Sequence, residues 1–96
     1  MRLLALIALL VANAAAAQLR TIPADAERGE MRHVQASIVE LNGARETLAP
    51  GVRIRDAQNR LIVPAALPAG ALVKFRRDAN GAVREVWILT PEEASR

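Results

Sequence analysis

The sequence contains no cysteine and no tyrosine, and its 96 residues include one histidine, one phenylalanine and one tryptophan. The lack of cysteine excludes disulfide bonds and thiolate metal sites. His33 has no second histidine nearby, and no cluster of carboxylates has a spacing that would hold a metal with it. We therefore predict no metal and no cofactor, and an exposed position at the start of a strand explains His33 better than a ligand role.

The residues needed for nucleophilic or acid–base catalysis are also missing. Ser37 is the only serine before the C-terminal tail, and it does not lie in a Gly-x-Ser-x-Gly motif. Glu92 and Glu93 are adjacent, so their side chains diverge, and they suit a helix N-terminus better than paired acid–base work. We predict that the protein is not an enzyme, and a hydrolase acting through His33 and a carboxylate is the weakest reading.

The N-terminus is apolar and short. Arg2, an apolar run over residues 3–12 and three alanines at 15–17 predict a cleavable signal peptide over residues 1–17. The run is well below the roughly 20 residues that span a bilayer, so we expect no stable membrane anchor after cleavage. We expect cleavage near Ala17–Gln18, a periplasmic or secreted protein, a linker or N-terminal arm over residues 18–30, and one small β-barrel domain over residues 31–96.

The clearest pattern is a β-hairpin near the C-terminus. Alternating apolar and polar runs over residues 71–77 and 82–89 flank Asn80-Gly81, a step that tolerates the positive φ angles of a tight turn. A three-residue loop with a bulge at Gly81 is the rival, but it sets Glu85 against Phe75. A two-residue loop gives a better match of apolar and charged partners, pairing Phe75 with Val86, Val73 with Ile88, Arg76 with Glu85 and Lys74 with Trp87.

The remaining strands are read from the same signals. Residues 32–41 predict one long strand whose apolar phase switches at Ile38–Val39, which is typical of a bulge. Asn42-Gly43 predicts a hairpin into a short strand over residues 44–48. Ala49-Pro50-Gly51 predicts a turn, after which residues 52–55 alternate, with both arginines facing water.

The end of the chain carries further signals. Pro64 and Pro68 confine their region to an edge or a loop. Thr90-Pro91-Glu92-Glu93 matches a capping box that begins a single helical turn. Short strands with regular turns and almost no helix predict an all-β fold, a small five-stranded antiparallel barrel of SH3-like or oligonucleotide-binding (OB)-like type.

Residues 34–93 resemble a group of short exported bacterial proteins of unassigned function. The resemblance rests on Val86-Trp87-Ile88-Leu89-Thr90-Pro91-Glu92-Glu93 and on the segment over residues 48–59, Leu-Ala-Pro-Gly-Val-Arg-Ile-Arg-Asp-Ala-Gln-Asn. The layout is similar to periplasmic OB-fold domains. This implies a binding or accessory module rather than an enzyme, and it brings no functional residue with it.

Basic residues supply one candidate surface, formed by Arg53, Arg55, Arg60, Lys74, Arg76, Arg77 and Arg84. Such a face suits a polyanionic glycan, a lipid headgroup or nucleic acid, although a solvated strand face is the simpler explanation. Nucleic acid is disfavoured because single-strand binders gain roughly 1–3 kcal/mol per base from aromatic stacking, and only Phe75 and Trp87 are aromatic.

Trp87 is the most informative single residue. It either anchors a partner protein as a partly exposed side chain, or fills one end of the barrel or packs beneath the arm. The second reading is favoured because so small a core needs the area. We expect a binding module with an unidentified protein partner, or alternatively an anion-binding domain, and the candidate surface comprises Trp87, Lys74, Arg76, Arg53 and Arg55.

Overall fold

The computed structural model describes residues 20–96, which are mostly strand with very little helix. The predicted signal peptide lies outside the described residues. The strands are β1 (Glu27–Gln35), β2 (Ile38–Leu41), β3 (Ala44–Arg55), β4 (Leu61–Ile62), β5 (Ala71–Arg77) and β6 (Val83–Ile88). One 3₁₀ turn (Pro64–Ala66) follows β4, and a single α-helical turn, α1 (Pro91–Ala94), follows β6.

Five of these strands close into a barrel. The order around it is β1–β2–β3–β6–β5 and back to β1, while β4 is an outlying strand paired to β3. Closure removes the free sheet edges that a small domain can hardly afford. The predicted five-stranded all-β barrel is confirmed, but the prediction that every pairing is antiparallel is wrong. After β3 the chain passes through β4 and β5 before it enters β6, and β6 then pairs with β3 in parallel.

The β5–β6 hairpin has the predicted register. Phe75 pairs with Val86, Val73 with Ile88, Arg76 with Glu85 and Lys74 with Trp87. The predicted two-residue loop is wrong, because Asp78 N donates to Ala82 O and the loop comprises residues 79–81. Gly81 has a φ of 85°. Arg84 is an extra residue on β6 and forms a bulge between Val83 and Glu85. The bulge compensates for the longer loop, so the predicted partners still face each other.

The strand predicted over residues 32–41 is two strands. β1 and β2 are antiparallel neighbours that reverse at Ala36-Ser37, where Ala36 takes a φ of 47°. The change of apolar phase at Ile38–Val39 therefore marks a chain reversal rather than a bulge. β1 also begins at Glu27, inside the segment predicted as a linker or arm over residues 18–30, so the described part of the arm comprises residues 20–26.

The predicted Asn42-Gly43 hairpin is confirmed. Asn42 and Gly43 have φ angles of 53° and 83°, and Leu41 pairs with Ala44 directly across the two-residue loop. The predicted turn at Pro50-Gly51 is wrong, since β3 continues through these residues as one strand of 12 residues. Gly51, with a φ of 74°, allows the strand to kink there without reversing.

The barrel interior is aliphatic. Its fully buried side chains include Met31, Val39, Ile54, Val73 and Val86, and Phe75 is the one aromatic ring among them.

At the end of β6 the predicted capping box is confirmed. The Thr90 hydroxyl accepts from Glu93 N, and the Glu93 carboxylate accepts from Thr90 N. The cap fixes the position of Glu93 directly beyond the last strand.

Candidate functional site: the arginine face

The predicted surface residues lie together on one outer face of the barrel. Strands β5, β6 and β3 are adjacent, so their outward side chains form two rows. One row contains Lys74, Trp87 and Arg55, and the next contains Arg76, Glu85 and Arg53. We call these six residues the arginine face. The parallel β3–β6 pairing brings Arg53 and Arg55 beside the hairpin, so all five predicted site residues converge.

Glu85 lies at the centre of the positive charge on this face. Its carboxylate lies 3.5 Å from the Arg76 guanidinium and 3.8 Å from those of Arg55 and Arg84. Arg76 is also 3.5 Å from Asp25, on the arm. Arg53 forms no ion pair with any residue in the range 20–96. Positive charge therefore exceeds negative charge on the arginine face.

Trp87 lies on the arginine face but is covered. Only 4% of the residue is exposed, although its side chain points away from the barrel interior and lies outside the main core cluster. A cleft between the arm and the sheet is lined by Arg20, Thr21 and Pro23 on one side and by Arg55 and Trp87 on the other. Trp87 thus packs beneath the arm and is not the exposed anchor of the alternative reading.

Arg20 holds the arm in this position. Its Nε donates to Glu93 Oε2 at 3.0 Å, and its Nη2 donates to Glu93 Oε1 at 2.7 Å. Two further hydrogen bonds reach the backbone carbonyls of Asp56 at 2.7 Å and Ile88 at 2.5 Å. The side chains of Arg20 and Glu93 are 9% and 15% exposed. One guanidinium therefore joins the arm, the loop after β3, the end of β6 and α1.

This ion pair determines the protonation of Glu93. Hydrogen bonding from Arg20 is the largest cause, and hydrogen bonding from Thr90 N contributes, so the pKa of Glu93 falls to about 2 despite opposition from burial. The carboxylate is therefore ionised at neutral pH and well into the acidic range.

A second cleft, the kink cleft, opens where β3 bends. It is lined by Pro50, Gly51, Arg53, Arg84 and Glu85. The β3–β6 register passes from Leu48–Val83 directly to Arg53–Glu85, so residues 49–52 stand opposite Arg84 alone. Arg84 is about half exposed at 48%. Two cationic side chains therefore border a break in the barrel wall.

Within residues 20–96 no three His, Cys, Asp or Glu side chains are grouped as metal ligands would be. His33 Nε2 lies 3.0 Å from Ala36 O, within its own turn. No helix in this same range is long and apolar enough to cross a membrane.

The sequence alone did not identify Arg20 as a functional residue, and it did not predict that Arg84 and Arg53 line the same cleft. Arg20 lies in a polar segment without periodicity, and nothing in the sequence identifies Glu93 as its partner. The bulge at Arg84 does appear in the sequence, as two consecutive polar residues between Val83 and Val86, but the alternation does not show that it faces Arg53. Comparison of the chain with protein-family models, with curated proteins and with solved structures gave no match.

Proposed function

We propose that this protein is an exported, non-enzymatic binding module related to the short exported bacterial proteins that it resembles, and that its ligand is an anionic glycan. The observation that carries the proposal is the arginine face, where the four cations Lys74, Arg53, Arg55 and Arg76 accompany one acidic residue, Glu85, and only Arg76 has a further carboxylate partner, Asp25. A linear polyanion lying across three strands would meet cations on β5 and on β3, which flank β6 and are therefore roughly 10 Å apart.

The alternatives within the anionic class are less well supported. Nucleic acid needs exposed aromatic rings for stacking, and both aromatic residues, Phe75 and Trp87, are only 4% exposed. A lipid surface is better met by cations on protruding segments, whereas these cations lie on paired strands around clefts. A partner protein anchored on Trp87 would first have to displace the arm.

The barrel type proposed is the OB fold rather than the SH3-like fold. Its support is the closed five-stranded order with one long connection through β4 and β5, which makes the β3–β6 pairing parallel. OB barrels are five-stranded Greek-key barrels that bind oligonucleotides and oligosaccharides. A binding role without catalysis agrees with that fold class, and export places the module where acidic polysaccharides occur.

Binding to immobilised dextran sulfate tests the proposal, with uncharged dextran as the control. We expect the protein of residues 18–96 to bind only the sulfated polymer. We expect the affinity to fall about 10- to 100-fold between about 50 and 200 mM NaCl, because a few ion pairs with the polymer release its counterions. Absent or salt-independent binding contradicts the proposal. Tighter binding to phosphatidylglycerol vesicles or to single-stranded DNA would reassign the ligand.

A further inference from the structure

We propose that the kink cleft is an oxyanion subsite, in which Arg53 and Arg84 together bind one phosphate, sulfate or carboxylate group. The inference rests on the proposed anionic ligand and goes further by naming the place on the protein that takes a single charged group. It also predicts binding of small inorganic oxyanions in the absence of any polymer.

Two irregularities of the sheet meet at this cleft. On β3, residues 49–52 lie between the Leu48–Val83 pair and the Arg53–Glu85 pair and have no partner of their own on β6. Arg84 is the single β6 residue opposite them. The second irregularity turns two consecutive residues outward, since Arg84 and Glu85 lie between the buried Val83 and Val86. Bulges at barrel rims commonly redirect a side chain toward a site. Here they place Arg84 at the rim that Arg53 also lines.

The charge of the cleft favours an anion. Arg53 has no carboxylate partner within residues 20–96, and Arg84 has only Glu85, at 3.8 Å. That carboxylate is shared with Arg55 and Arg76. Arg53 is unpaired within residues 20–96 and Arg84 has only part of one carboxylate, so both guanidinium groups keep N–H donors for an oxyanion. Guanidinium is also the group whose geometry best matches an oxyanion.

Gly51 lines the cleft and adds no side chain to it. Gly51 is held at a φ of 74°, and a Cβ placed on it would meet no atom within 4 Å. Because no side chain occupies this part of the cleft, an oxygen atom of a ligand can approach the backbone of Gly51. A cleft of about 400 Å³ accommodates one such group together with water.

Titration of ¹⁵N-labelled protein with sodium phosphate, and separately with sodium sulfate, tests the subsite, with sodium chloride at matched ionic strength as the reference. We expect saturable shifts at the amides of Gly51, Val52 and Arg84 with both oxyanions and not with chloride. Arg53→Gln and Arg84→Gln should each weaken this binding tenfold or more. Arg45→Gln, which removes one charge from an exposed position earlier on β3, should change it less than twofold.

The outcomes separate the subsite from the proposed function. Oxyanion shifts that depend on Arg53 and Arg84, with no binding to dextran sulfate, would support the subsite and overturn the glycan proposal. Polymer binding that survives Arg53→Gln and Arg84→Gln as well as it survives Arg45→Gln would overturn the subsite alone. Shifts that chloride reproduces would also overturn it. Polygalacturonate in place of dextran sulfate distinguishes carboxylate from sulfate as the preferred group.

Discussion

Trp87→Ala is expected to lower the free energy of unfolding by about 3–5 kcal/mol, because it removes a large side chain that is only 4% exposed. The truncation would leave a void between β6 and the arm that the backbone cannot fill. Net stability in a domain of this size is only a few kcal/mol, so we expect the variant to be largely unfolded at 25 °C. Urea denaturation followed by circular dichroism measures the loss.

Trp87→Phe is the matched control, since it keeps an aromatic ring at the same position. It should retain most of the stability, with a loss of about 1–2 kcal/mol. If Trp87→Ala were as stable as the wild type, the indole would not be packed beneath the arm. The reading of Trp87 as an exposed anchor for a partner protein would then be restored.

Arg20→Ala is expected to cost about 2–3 kcal/mol. It leaves the Glu93 carboxylate without its cation and removes one hydrogen bond from each of the backbone carbonyls of Asp56 and Ile88. Arg28→Ala is the control, because Arg28 also reaches the C-terminal segment, through the carbonyls of Ala94 and Arg96, but is exposed. That change should cost less than about 0.5 kcal/mol. Equal losses in the two variants would contradict the assigned role of Arg20.

The same ion pair predicts a pH dependence. The pKa of Glu93 is about 2 in the folded protein and near its usual 4.5 when unfolded, so the unfolded chain binds more protons between these values. The stabilisation is complete above about pH 5 and is lost as the pH falls toward 2. The stability difference between wild type and Arg20→Ala should therefore shrink across this window. A difference that stayed constant from pH 6 to pH 2 would show that the charge of Glu93 contributes nothing.

Trp87 also provides a probe of the arm, because it is the only tryptophan and there is no tyrosine. In Arg20→Ala the arm should loosen, so acrylamide should quench the fluorescence of Trp87 more strongly than in the wild type. This readout distinguishes release of the arm from a general loss of stability, since it is measured on the folded protein before the denaturation transition.

The closing hairpin was predictable because its information is local. Alternation in β5 and β6 and the charge match of Arg76 with Glu85 determine the register, and the structure confirms it. The loop was not predictable in the same way, because a three-residue loop and a compensating bulge at Arg84 give the same pairing as a two-residue loop. Local patterns therefore identified the partners but not the path between them.

The chain reversals and the arm depend on contacts between distant residues. At Ala36-Ser37 the positive-φ position is an alanine and not a glycine, asparagine or aspartate, and Ala36 accepts this φ because the β1–β2 pairing imposes it. Pro50-Gly51 has a turn composition, yet pairing of β3 on both sides of it makes it a kink. Arg20 and Glu93 are 73 positions apart, so no local pattern could connect them.

The candidate site was predicted as a set of residues but not as an arrangement. Alternation placed Arg53, Arg55, Lys74 and Arg76 outward correctly. Their convergence depends on the parallel β3–β6 pairing, which alternation alone does not reveal. The kink cleft depends on two irregularities that face each other only because β3 and β6 are paired.

We propose that the arginine face, and not the net charge of the protein, binds an anionic glycan. The most direct measurement compares two double variants that each remove two positive charges, Arg53→Ala with Arg55→Ala, and Arg32→Ala with Arg45→Ala where β1 and β3 pair with β2. At about 50 mM NaCl we expect the first pair to weaken binding to dextran sulfate tenfold or more and the second pair less than threefold. Equal weakening by the two double variants would contradict the claim.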